Sequence, residues 1–121
     1  DSGVGGAVAD TVGRLMQRLG RDRQVMAVTH LAQVAACAHQ HLVVAKAVHE
    51  GQTTSDIGEV RDDVRTTEIA RMLGGQITET SRAHAQAMLA TARAQEAQDA
   101  QDADTATPAA GKAPRRRKEA A

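Results

Sequence analysis

The residue in this chain best placed for chemistry is His30, which closes a short apolar run, Val25-Met26-Ala27-Val28, after a single threonine. An imidazole can donate a hydrogen bond to a phosphate oxygen or accept one from water, and its charge is tunable near neutral pH. The run before it is too short for a helix and too continuous for a half-exposed strand. It reads as a strand buried on both faces of a parallel sheet. Open α/β sheets bind ligands beyond the carboxyl ends of their strands, so the position suggests phosphate chemistry. The bland alternative is a strand-end histidine satisfied by a nearby carbonyl, because an isolated motif is only a hypothesis.

Three further histidines, His39, His41 and His49, lie near the single cysteine, Cys37. His39 and His41 would share a face if their segment is extended. No Cys-x-x-Cys or His-Glu-x-x-His spacing is present, so no metal site is assigned, and Cys37 reads as a small buried hydrophobe on its helix. A second cationic feature is the run Arg115, Arg116, Arg117 and Lys118. It could screen DNA phosphates, or it could be an ordinary solubilising tail. No aromatic residue is available to stack on bases. A phosphate-cradling Gly-x-x-x-x-Gly-Lys-[Ser/Thr] loop is missing from the sequence; Gly111-Lys112 is followed by alanine.

The elements that must position these groups follow from periodicity. The opening residues 1–6, with three glycines in four positions, read as a loop. Val8, Val12, Leu15, Met16 and Leu19 recur at helical spacing and define an amphipathic helix that Gly20 ends. Helix, turn and buried strand make half of a parallel crossover unit. Beyond His30 the pattern predicts a short helix over 31–38, a strand from Leu42 to about His49, a turn at Glu50-Gly51-Gln52 and a strand over 53–60, forming a hairpin at the sheet edge. A charged bridge over 61–65 leads to a helix over 67–73 stopped by Gly74-Gly75, and Thr80 or Ser81 caps a last helix to about Ala97. From there the apolar residues are almost all alanine, so 99–121 is expected to be disordered.

One domain is all that 121 residues allow, and with no Phe, Tyr or Trp its core must be built from Val, Leu, Ile, Met and Ala. Fifteen basic and fifteen acidic side chains cancel, so the average charge makes no case for nucleic acid. A single cysteine fits a reducing cytoplasm, and no apolar run approaches the length that spans a bilayer.

The stretch Val28-Thr29-His30-Leu31-Ala32-Gln33-Val34-Ala35, followed by Cys37-Ala38-His39-Gln40-His41 and Leu73-Gly74-Gly75, resembles the carboxyl-terminal end of the RecN family of bacterial DNA-repair ATPases, relatives of the SMC and ABC-type ATPases. The resemblance runs over residues 1–89. It implies an α/β fold, the carboxyl-terminal lobe of a P-loop ATPase head over 1–97, with parallel strand and edge hairpin flanked by helices and a disordered tail over 98–121. It places His30 beside the γ-phosphate of ATP and Asp1, Ser2 and Gly3 in the D-loop that reaches toward a partner's nucleotide in a head-to-head homodimer. Gly5 stands where the family would lead one to expect a serine.

The resemblance further implies ATP and Mg²⁺ as cofactors of the complete protein, DNA as its partner in double-strand-break repair, and a cytoplasmic, nucleoid-associated location. A start at Asp1 without methionine suits a fragment. Phosphoryl transfer needs a P-loop lysine and a Mg²⁺ site besides a water-positioning group, so the chain alone is expected not to hydrolyse ATP. The alternative is a non-catalytic α/β module that binds a protein or nucleic acid.

Overall fold

The computed structural model describes residues 4–106, in the order α1 (Val4–Leu19), α2 (Ala32–Ala36), β1 (His41–His49), β2 (Gln52–Val60), α3 (Asp62–Met72) and α4 (Glu79–Ala106). Asp1, Ser2 and Gly3 lie outside the described residues, as does the run Arg115, Arg116, Arg117 and Lys118. Helix α1 already includes Gly5 and Gly6, where a loop was expected.

Small side chains build the core. Ala32, Ala35 and Ala36 of α2 meet Ile69 and Ala70 of α3 and Ala85 and Leu89 of α4, with Met72, Leu73 and Met88 at the margin. Alanine contributes little area per residue, so the helices compensate by approaching closely. The α3–α4 hairpin turns through Gly74 and Gly75, whose φ of 90° and 74° fall in the region that a side chain disfavours. Helix α4 begins in a capping box at Thr78, two or three residues earlier than expected. The Thr78 hydroxyl accepts from Ser81 N at 3.1 Å while Ser81 Oγ accepts from Thr78 N at 2.8 Å. Helix α3 likewise starts within the segment read as a charged bridge, with Asp62 and Asp63 in its first turn, where the helix dipole favours acid.

Strands β1 and β2 pair antiparallel from His41 opposite Val60 to His49 opposite Gln52. Their turn, Glu50-Gly51, has φ of 50° and 78°, the positive pair that a two-residue hairpin loop needs to match strand twist. The hairpin forms as the sequence predicts, but the buried parallel strand expected over residues 25–28 does not. Residues 24–29 carry no strand pairing, and Met26 and Val28 are exposed. The sheet among the described residues is β1 and β2 alone, which bond to each other. A parallel strand needs neighbours to accept its backbone bonds, and here there are none. The fold is therefore mixed helix and antiparallel hairpin over the described residues.

A second departure concerns α1. Its apolar stripe, Val8, Val12, Leu15 and Leu19, is exposed, and the buried face is Ala9, Gly13 and Gln17. Gly13 allows the approach to α2: a β-carbon there would stand 3.0 Å from Cys37 Sγ and 3.1 Å from the Gln33 carbonyl oxygen. Gln17 then donates through Nε2 to the carbonyls of Cys37 at 3.2 Å and Ala92 at 3.1 Å, tying α1 to both α2 and α4.

The third departure is the tail. Helix α4 continues to Ala106, so residues 99–106 are helical rather than disordered. Polar contacts from the end of α1 hold its later turns: Arg18 Nε to Asp99 Oδ2 at 3.0 Å and Arg21 to the Glu96 carbonyl at 2.8 Å. Apolar burial, the quantity that argued for disorder, was not the operative one. Residues 107–121 lie outside the description.

Candidate functional site

His30 sits at a bend between the unpaired run 24–29 and helix α2, and its side chain is exposed. Two local features fix that bend. Thr29 Oγ1 accepts from the Leu31 amide at 3.0 Å, and the Leu31 carbonyl accepts from both Val34 and Ala35 at 3.1 Å, which starts α2. The threonine hydroxyl thus supplies the turn that a backbone carbonyl would otherwise make, leaving the imidazole outward at its apex. Val28, beside it, is 99% exposed. An outward imidazole at a helix start can meet an anion or a water molecule, and it has apolar residues, not acids, before it in the chain.

The helix behind His30 is anchored from α3. The Arg65 guanidinium donates to the carbonyls of Ala35 at 3.2 Å, Ala36 at 3.4 Å and Ala38 at 2.7 Å, satisfying the carboxyl end of α2 that a helix so short cannot satisfy itself. Burial pushes Arg65 below the usual guanidinium range, and nearby Arg93 pushes it further in the same direction. Spacing could have revealed this residue: Arg65 precedes Ile69 by four positions, which puts it on the inward face of α3.

The remaining histidines part company. His39 pairs through Nε2 with Glu96 of α4, His41 is buried at the start of β1, and His49 is exposed at the far end of the hairpin. Burial lowers the His41 pKa, Arg65 lowers it further, and Glu68 opposes both. Cys37 is half-buried against α1, and burial pushes its thiol up, away from the reactive thiolate. Among the described residues no three His, Cys, Asp or Glu side chains gather as a metal-ligand set. No helix among them is long and apolar enough to cross a membrane.

No family model matches the chain. Individual curated proteins do. It is 48% identical over 90 residues to the DNA repair protein RecN of Deinococcus radiodurans, covering 74% of this chain and 16% of that protein. It is 44% identical over 93 residues to RecN of Vibrio cholerae, covering 76% and 17%, and 47% identical over 95 residues to RecN of Streptomyces coelicolor, covering 78% and 17%. Over that stretch the chain is a RecN-family sequence. It spans only about a sixth of the length of these relatives, at 16% to 17%. The RecN likeness expected over residues 1–89 is thus matched by alignments that cover 74% to 78% of the chain.

Proposed function

We propose that this RecN-like chain is the carboxyl-terminal part of an ATP-binding protein of DNA double-strand-break repair. In this reading His30 contacts the γ-phosphate side of a composite site and Asp1, Ser2 and Gly3 form its D-loop. The observation that carries it is the outward His30, held at the apex of a threonine-stabilised bend, within a segment that matches the DNA repair protein RecN. ATP and Mg²⁺ belong to the complete protein, because this sequence has no P-loop to cradle phosphates. What its own residues supply is a hydrogen-bonding imidazole at a fixed place.

The exposed residues 25–28 and the exposed stripe of α1 fit the same reading: both are surfaces that further chain of the complete protein would cover. A head-to-head homodimer, DNA as partner and nucleoid association follow from it as parts of one proposal.

Replacing the matching 90-residue segment of the Deinococcus radiodurans protein with this sequence tests it. The chimera should hydrolyse ATP, and His30→Ala in that chimera should lower kcat by about tenfold to a thousandfold, with little change in nucleotide binding. Unchanged turnover in His30→Ala would remove His30 from the site. ATP turnover by the 121-residue chain alone would overturn the claim that the site is composite.

A further inference from the structure

Away from His30, a recess of about 320 Å³ opens where the start of β1, the end of β2, α3 and α4 converge. Arg61, Arg65, Arg93 and His41 line it, together with Glu59 and Asp62. The charges do not cancel. Glu59 is engaged by Arg61 through two bonds, at 2.8 and 2.9 Å, which leaves Asp62, among the described residues, as the remaining lining carboxylate beside Arg65 and Arg93. Arg65 gives its Nη2 to the carbonyls of α2, and among the described residues its buried Nε has no hydrogen-bond partner. The buried Nδ1 of His41 is likewise without one. His41 is 9% exposed, so bulk water does not readily satisfy that nitrogen.

A fold bears a cost when two guanidinium groups face one recess and two buried nitrogens lack partners. An oxyanion relieves the first, since its oxygens accept from guanidinium N–H groups and its charge screens Arg65 from Arg93, and the two enclosed nitrogens gain an acceptor as the wall that Arg65 and His41 line adjusts around it. We infer that this recess binds a phosphate group, with Arg93 and Arg65 as the charged donors and His41 as the neutral one. Neighbouring His39 is held by Glu96, and Glu68 lies near His41 without lining the recess. A recess of about 320 Å³ has room for a tetrahedral oxyanion, free or at the end of a nucleic acid strand.

The test is an NMR titration of the 121-residue chain with sodium phosphate against sodium chloride at matched ionic strength. Saturable shifts at amides around residues 39–41, 59–65 and 93 in phosphate alone are expected. Arg93→Gln is the variant to use, because Arg93 is exposed and bonds to no helix end, whereas Arg65 also secures α2. It should weaken phosphate binding about tenfold, while the melting temperature in chloride does not fall and rises slightly as the repulsion with Arg65 is removed.

A short DNA duplex with and without a 5′-phosphate separates the two sources. Shifts that require the 5′-phosphate assign the site to a strand end, and shifts with inorganic phosphate alone assign it to the free ion. Shifts equal in phosphate and chloride, or equal affinity in Arg93→Gln, would overturn the inference.

Discussion

The α2–α3–α4 cluster and the stretch from α1 through residue 31 have similar apolar content but opposite fates. In the cluster, Ile69 and Ala85 are fully buried between helices whose backbone bonds are made within each helix or, at the carboxyl end of α2, by Arg65. In the other region the larger side chains, Val12, Leu15, Met26 and Val28, face outward while Ala9, Gly13 and Gln17 face in. The difference lies in what each element needs before it can bury itself. A helix brings its own hydrogen bonds and packs wherever small residues permit approach, whereas a strand must first find backbone partners. In a chain without aromatic residues, closeness of approach outweighs side-chain size.

The comparison breaks most sharply at single residues. Ile69→Ala should cost about 2–5 kcal/mol in urea denaturation, because it truncates the one large side chain among the described residues that is completely enclosed. Val28→Ala should change stability by less than about 0.5 kcal/mol. Comparable losses at the two positions would mean that residues 24–29 are packed in solution.

Glycines on α1 provide a test of sign. Gly13→Ala should destabilise by about 1–3 kcal/mol, since its β-carbon would press on the backbone of α2 at 3.1 Å from the Gln33 carbonyl. Gly6→Ala meets nothing within 4 Å and should stabilise by up to about 1 kcal/mol through helix propensity. Thermal melts of the pair decide whether closeness to α2 governs the packing of this helix. Equal signs would show that it does not.

A smaller effect belongs to pH. His41 binds a proton less readily in the fold than in the unfolded chain, because burial and Arg65 disfavour its charge. Its contribution to stability is therefore fully present above the ordinary histidine pKa and is lost as pH falls through the lowered one. Melting temperature should decline on acidification below neutrality, and His41→Asn should flatten that part of the profile. The smallest change is expected from Asp99→Asn, which removes the exposed pair with Arg18. Amide exchange should quicken in the last turns of α4 alone, and added salt should mimic it in the parent chain.

Local chemistry made several elements readable in advance. The hairpin followed from β-branched runs around Glu50-Gly51, the end of α1 from Gly20, and the stop after α3 from Gly74-Gly75, because each depends on residues within a few positions of one another. The bend that presents His30 belongs with them in part: the Thr-His-Leu order was visible, although the hydroxyl that closes the bend was not. The recess was not legible. Arg61, Arg65, Arg93 and His41 are scattered over more than fifty residues, and no spacing rule connects them.

By itself, then, the sequence determined the helices, the hairpin and its turn, and the outstanding position of His30, since propensity, turn chemistry and short-range periodicity act over one or two turns of chain. Only the tertiary structure decided which face of α1 is buried, whether residues 25–28 pair, how far α4 continues, and that Arg65, Arg93 and His41 meet. Those outcomes rest on contacts between segments far apart in the chain. There a glycine that permits approach or a guanidinium that finds three carbonyls outweighs the local apolar pattern.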